Sequence, residues 1–304
     1  MIKILANDGM QADAVKALQE KGYEVCTQHY DPERLAEQIG NYDVLTVRSA
    51  TKVRRPLIDA AAESGRLKLI IRGGVGIDNI DAEYAEEKGI HVTNTPRASS
   101  VSVAELVLAH MFSMCRFIGI SNITMRQGEW NKNSYEGTEI YGKTLGLVGM
   151  GRIAQELASR AQALGMNIVY FDILGRLDCV PYAYLPLEDV LRQADFLSLH
   201  VPCTPDKQPL IGAQELCLMK PTAYIINTAR GNLVDLPALC AALNDNRLAG
   251  AAFDVFPQEP NCDEHLLCHK CVSLTPHIGG STKEAQLRIG AEIVEIIDDF
   301  FAGQ

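Results

Sequence analysis

Residues 144–172 constrain the fold of this chain more than any other stretch. An apolar run, Thr144–Val148, leads into Gly149-Met150-Gly151-Arg152-Ile153-Ala154, the pattern G-x-G-x-x-A. Behind it, Ile153, Leu157, Ala161 and Leu164 recur at spacings of 4, 4 and 3, which places them on one face of a helix. Gly165 ends that helix. A second apolar run, Asn167–Phe171, then closes on Asp172, 21 residues after Gly151. Strand, glycine turn, helix and strand with a terminal acid match each part of a dinucleotide fingerprint. Gly149 permits the tight turn, Gly151 lets the backbone approach a pyrophosphate, and Ala154 lets helix and strand pack closely. The helix N-terminus offers N–H groups and a positive dipole end to phosphates. Asp172 is placed to accept hydrogen bonds from ribose hydroxyls and to repel a 2′-phosphate, so NAD is expected over NADP. Arg176, four residues on, works slightly against that preference.

The rest of the chain continues the alternation. Strand candidates Ile2–Leu5, Tyr23–Cys26, Asp43–Val47, Lys68–Ile71 and Ile90–Thr93 are separated by helical patterns at Gln11–Glu20, Pro32–Ile39, Pro56–Ala62 and Ala82–Lys88. A second series begins at Lys143, with further strands at Phe196–Leu199, Ala223–Asn227, Gly250–Phe253 and Cys271–Leu274. Alternating strands and helices imply parallel sheets covered on both faces. Between the two series lies a nearly all-apolar helix candidate, Val101–Phe117, which must be buried against something. A polar segment, Gln127–Glu139, follows it and holds the single tryptophan, Trp130. The last helix, Lys283–Phe301, opens on a capping-box pattern, Ser281-Thr282-Lys283-Glu284. The order of elements suggests that the second lobe is inserted into the first: residues 1–98 with 285–304 form one domain and residues 99–284 the other.

With 304 residues, 47% hydrophobic and 22% charged, the chain has material for two such domains. A formal charge of −10 argues against a nucleic-acid footprint. No apolar run approaches the ~18 residues needed to cross a membrane, and the opening residues lack a signal-peptide layout, so a cytoplasmic protein is expected. The 9 cysteines contain no CxxC pair, and reduced thiols are the simpler reading. Cys262, His265, Cys268, His269 and Cys271 have the residue types of a zinc site, but their spacing matches no zinc pattern, so a surface loop is expected and no metal is assigned.

Against that acidic background, an anionic substrate must be caught by a few local cations. Three late segments offer the groups a hydride transfer to a 2-oxo acid requires. Arg230 follows the strand Ala223–Asn227, and a planar guanidinium can bind a carboxylate in paired hydrogen bonds. His277, in Thr275-Pro276-His277-Ile278-Gly279-Gly280-Ser281, suits proton donation near neutral pH. Glu259, in Phe253-Asp254-Val255-Phe256-Pro257-Gln258-Glu259-Pro260, could sit beside it and favour the imidazolium.

Together these motifs resemble the D-isomer-specific 2-hydroxyacid dehydrogenase family, over a span from Val44 to Glu284. The resemblance implies an α/β chain of two Rossmann-like lobes, an NAD-binding domain inserted into a flavodoxin-like substrate domain, with the active cleft between them. It implies a homodimer, with Val101–Phe117 and the Trp130 segment in the dimerisation region. It gives Arg230 to substrate binding, His277 to acid/base work and Glu259 to pairing with the histidine. It gives Gly149, Gly151, Arg152, Ile153, Asp172, Thr204, Thr228, Ala229, Asp254 and Gly279 to the cofactor, with Asp254 on the nicotinamide carboxamide. Arg48, Ser49, Gly74, Val75 and Asn94 join Arg230 and His277 at the substrate.

Within that family the chain is most similar to the D-3-phosphoglycerate dehydrogenases. The residues responsible are 47–53, Gly76-Ile77-Asp78-Asn79-Ile80-Asp81, Asn94-Thr95-Pro96, and Glu136-Gly137-Thr138-Glu139 before Gly142-Lys143-Thr144. The implied reaction oxidises 3-phosphoglycerate, the first step of serine synthesis, with Arg48 on the phosphate or carboxylate. Arg72-Gly73-Gly74-Val75-Gly76 also resembles general 2-oxo acid reductases, which keeps hydroxypyruvate, glyoxylate or another 2-oxo acid as an alternative. A corepressor that senses dinucleotides on the same fold is the remote alternative.

Overall fold

The computed structural model describes residues 1–204, 208–260, 264–267 and 269–302. The chain divides into two compact units, residues 1–99 with 280–304, and residues 100–279.

The first unit begins β1 (Lys3–Ala6), α1 (Ala12–Glu20), β2 (Glu24–Cys26), α2 (Pro32–Gln38), β3 (Val44–Val47), α3 (Arg55–Ser64), β4 (Leu69–Arg72), α4 (Ala82–Glu87) and β5 (His91–Asn94). Local chemistry sets these bounds. Gln11 caps α1 by accepting from Asp13 N, and Asp31 caps α2 with Pro32 already in helical φ. Gly65 ends α3 in the left-handed region at φ 60°. The sheet order is β2-β1-β3-β4-β5 with every pair parallel, and the order reverses at β1 and β3. Leu5, Leu45 and Ile70 face one apolar layer, with Ile58 of α3. Ile4, Val44, Leu69 and Ile71 face the other.

The second unit runs α5 (Ser100–Cys115), α6 (Ile118–Arg126), β6 (Thr144–Val148), α7 (Arg152–Ala163), β7 (Asn167–Phe171), β8 (Ala183–Tyr184), α8 (Leu187–Gln193), β9 (Phe196–Leu199), α9 (Ala213–Leu218), β10 (Tyr224–Asn227), α10 (Leu236–Asn244), β11 (Gly250–Phe253), α11 (Glu264–Leu267) and β12 (Val272–Leu274). Its sheet order is β12-β11-β10-β9-β6-β7-β8, again parallel throughout. β9 and β11 are buried at every residue, as expected of strands covered on both faces. The strand order reverses at β6 and β9, the point beyond whose carboxyl ends open α/β sheets bind ligands.

The long apolar helix is shorter than its sequence pattern. It stops at Cys115, and the left-handed Phe117 (φ 54°) starts α6 at 62° to it. Val107 and Met111 of α5 share a core with Leu157 of α7 and Leu145 of β6. No single helix among the described residues is long and apolar enough to cross a membrane.

The chain returns to the first unit in α12 (Lys283–Ala302). Ile289, Ile293 and Ile297 pack with Ile4 and Leu18. The start of α12 corrects the capping-box expectation. Thr282, not Ser281, caps the helix, accepting from Ala285 N at 3.1 Å. The third helical position is therefore Ala285, and Glu284 has no reciprocal role to play.

Candidate active site

The glycine turn lies at the strand-order reversal of the second unit. Gly149 has φ 87°, and a β-carbon there would stand 2.7 Å from His200 O, beyond the end of β9. Both backbone conformation and space therefore require glycine. Gly149 N donates to Phe171 O at 2.8 Å, which ties the turn to β7. Gly151 is the N-cap of α7 and supplies no side chain to its first turn. Nothing lies within 4 Å of the β-carbon position on Gly151, and Gly151 and Arg152 are exposed while Ile153 is half-buried. Asp172 is fixed at both oxygens, accepting from Met150 N at 2.8 Å and Leu174 N at 2.9 Å. At the end of β10, the buried Thr228 Oγ1 has no hydrogen-bond partner among the described residues, and Ala229 N donates to Asn227 Oδ1. Thr204 Oγ1 donates to Gln208 O at 2.5 Å. An uncapped helix start with open approach, an oriented acid and an orphaned hydroxyl fit a dinucleotide bound beyond the strand ends.

The same unit brings His277 and Glu259 together, with Nδ1 to Oε2 at 2.7 Å. The other oxygen, Oε1, accepts from Phe256 N at 3.1 Å. An ionised carboxylate only accepts, so Nδ1 carries the proton of this bond and Nε2 is left for exchange. The two side chains are 40% and 33% exposed, so they form an accessible pair. His277 has φ 54°, a left-handed conformation that a non-glycine residue holds only when its surroundings fix it. Asp254 provides that anchorage. It is 1% exposed and accepts from Ile278 N and Gly279 N, both at 2.8 Å, and from Thr275 Oγ1 at 2.6 Å.

Arg230 follows β10, the strand beside β11. Its Nη1 donates to Ala229 O at 2.6 Å, and Asn227 Nδ2 donates to its carbonyl at 2.8 Å. Gly231 packs directly on the backbone of Phe256 and Pro257, which brings the Arg230 loop against the loop that carries Glu259.

In the first unit, Arg48 and Ser49 leave β3 at that sheet's own reversal point. Asp8 Oδ2, beyond β1, accepts from Arg48 N at 2.7 Å and Thr51 N at 3.1 Å. Asn79 Nδ2 donates to Arg48 O and Thr51 O, both at 2.8 Å. The loop is thus held from two sides with Ser49 exposed. Gly74 has φ 145°, and Asn94 Nδ2 donates to Val75 O. Asp8 and Asn79 left no charge pattern in the sequence because they hold backbone, and Thr275 left none because it holds the distant Asp254 carboxylate. For Asp8 the one available signal was its place after the first strand.

Of the cysteine- and histidine-rich loop, Cys262 and Cys268, with the side chain of His265, fall outside the described residues. Cys271 N donates to His269 Nδ1 at 3.3 Å, and no cluster suited to a metal occurs among the described residues.

Residues 108–279 match the model of the NAD-binding domain of D-isomer-specific 2-hydroxyacid dehydrogenases. The chain belongs to that family. Members of this dehydrogenase family are NAD-dependent oxidoreductases with two Rossmann-like domains. The hydroxypyruvate reductase of Thermotoga maritima is 42% identical over 97% of both chains. The D-3-phosphoglycerate dehydrogenase of Methanocaldococcus jannaschii is 44% identical over the whole of this chain, which spans 58% of that protein's length. Among solved structures, a glyoxylate reductase from Paecilomyes thermophila superimposes with a TM-score of 0.89 at 30% identity, covering 100% of this chain and 96% of that one.

Proposed function

We propose that this dehydrogenase interconverts D-3-phosphoglycerate and 3-phosphohydroxypyruvate with NAD, a reaction that serves serine biosynthesis. The observation that carries the reading is the 44% identity, along the entire chain, to the archaeal enzyme of that name. NAD, when bound, supplies the hydride acceptor. The residues Gly149, Gly151, Arg152 and Ile153 hold its pyrophosphate, Asp172 its ribose, and Thr204, Thr228, Ala229 and Gly279 complete its site. Asp254 has three acceptor positions filled by the loop that carries His277, which leaves one for the carboxamide.

As the carbinol C–H is lost as hydride, His277 Nε2 takes the hydroxyl proton, and it returns that proton in the reductive direction. Glu259 holds Nδ1–H and stabilises the imidazolium so formed. Arg230 binds the carboxylate and polarises the oxygen at C2. Arg48, Ser49, Gly74, Val75 and Asn94 bind the rest of the anion, Arg48 and Lys52 serving its phosphate.

A second reading, hydroxypyruvate reduction, is favoured by the Thermotoga maritima relative, which matches this chain over 97% of both lengths. NADH oxidation with 3-phosphohydroxypyruvate, hydroxypyruvate and a branched-chain 2-oxo acid decides between them. A kcat/KM advantage of about a hundredfold or more for the phosphorylated acid, roughly 3 kcal/mol, supports the first reading. An advantage for hydroxypyruvate replaces it with the second. Tight NADH binding with negligible turnover of every acid supports a sensor instead.

The assembly we propose is a homodimer. Ile118, Ile123 and Met125 of α6 are each more than half exposed, and Trp130 is 77% exposed, so this region carries an apolar face suited to a second copy. Sedimentation equilibrium at twice the chain mass is the expected result. We place the enzyme in the cytoplasm, in keeping with described cysteines that form no disulfide.

A further inference from the structure

α5 carries a buried histidine with no part in the chemistry proposed for the site. His110 is 2% exposed, on the helix that packs against β11 and β12. Its Nδ1 lies 2.9 Å from Ser273 Oγ and its Nε2 lies 3.1 Å from Thr275 Oγ1. Thr275 Oγ1 is in turn 2.6 Å from Asp254 Oδ1.

The donors and acceptors present fix the direction of every hydrogen bond in this series. Asp254, as a carboxylate, only accepts, so the single hydroxyl proton of Thr275 goes to it. Thr275 Oγ1 must then accept from His110, which puts a proton on Nε2. Burial holds the His110 ring below its usual imidazole range, with the negative charge of Asp254 opposing, so the ring is neutral. Its Nδ1 is therefore an acceptor, and Ser273 donates to it. Ser273, His110, Thr275 and Asp254 thus form one polarised chain with each donor matched to an acceptor. Its far end carries the backbone N–H groups of Ile278 and Gly279, the two residues after the left-handed His277.

We infer that His110 is a positioning residue for His277, fixing its loop through Thr275 and Asp254. Removing the Nε2–H donor frees the Thr275 hydroxyl to rotate away from Asp254. The carboxylate then loses one of its three holds, and the strained backbone at His277 loosens. Positional errors of this kind cost turnover far more than affinity. The inference rests on His277 being the acid/base group.

The test is a double-mutant cycle in the full chain, with the 2-oxo acid it reduces fastest. His110→Leu should lower kcat by about tenfold or more and shift the KM for NADH by less than about twofold. His110→Gln, which can still donate to Thr275, should recover most of the loss. In a His277→Ala background, His110→Leu should change the residual rate by less than about twofold, because the group it positions is gone. An equal loss in both backgrounds would make His110 a packing residue and overturn the inference. Unchanged turnover in His277→Ala alone would overturn the reading of the site and this inference with it. Unchanged turnover in folded His110→Leu, with His277→Ala impaired, would overturn only the inference. If His110→Leu does not fold, Thr275→Val cuts the same chain and takes its place in the cycle. Histidine nitrogen NMR adds a readout free of activity: the Nε2–H tautomer of His110 is expected, and the Nδ1–H tautomer or an imidazolium at neutral pH would overturn the inference.

Discussion

A β-carbon on Gly231 would stand 2.0 Å from the carbonyl carbon of Phe256 and 2.3 Å from its oxygen. These are backbone atoms that cannot rotate aside, and three residues beyond Phe256 stands Glu259. Gly231→Ala is therefore expected to act at a distance. It should cost at least about 1–3 kcal/mol of stability, as overpacking does, and lower kcat by displacing the carboxylate from His277. Thermal melting and steady-state kinetics on one preparation check both. A variant with wild-type melting and wild-type kcat would mean that the two loops separate freely.

His277→Ala should reduce kcat by roughly 10²–10⁴-fold, the range for loss of a general acid/base. Glu259→Gln should also slow turnover, because a neutral amide cannot stabilise the imidazolium as a carboxylate does. Its KM for NADH should move little. Equal rates in wild type and His277→Ala would take the histidine out of the chemistry.

Asp172→Ala removes both a candidate ribose ligand and the acceptor for Met150 N. The ratio of kcat/KM for NAD to that for NADP should narrow, chiefly by a weaker use of NAD. A ratio that does not move would show that another group reads the ribose.

His200 gives a pH dependence of stability. Burial draws its pKa down to about 4, while the unfolded chain titrates near the ordinary value of 6.5. Above 6.5 the ring is neutral in both states and contributes no pH dependence. As pH falls from 6.5 towards 4, the unfolded chain takes up the proton first, so stability is lost across that window. Melting temperatures of wild type and His200→Asn over this range should converge as the pH drops. Parallel curves would assign the acid sensitivity to other groups.

The sequence was legible where chemistry has a period or a fixed spacing. β6, β7, β9 and β11 match their apolar runs residue for residue, because strands covered on both faces carry few polar residues. The two-residue β8 has too little length to make a pattern, and α6 buries none of its residues, so its isoleucines trace no inward face. At the site, Glu259 and His277 could be paired by residue type and are found in contact. The anchors behind them could not. Asp254 was expected to face the cofactor, and its hold on the His277 loop through three acceptor positions left no mark in the sequence. His110 stood in an apolar helix pattern with nothing nearby in sequence to mark its partners, which lie 163 and 165 residues away.

The return of α12 to the first unit sets an order of assembly during synthesis. Residues 100–279 form an unbroken segment and hold all the strands of their sheet, so this unit can close while the ribosome is still at work. The first unit cannot. Ile4, Leu18, Val44 and Leu69 wait for Ile289, Ile293 and Ile297, which are made only after the whole of the second unit. A nascent chain stalled near residue 282, with its second unit clear of the exit tunnel, should expose an open apolar face on residues 1–99 while residues 100–279 are already protease-resistant.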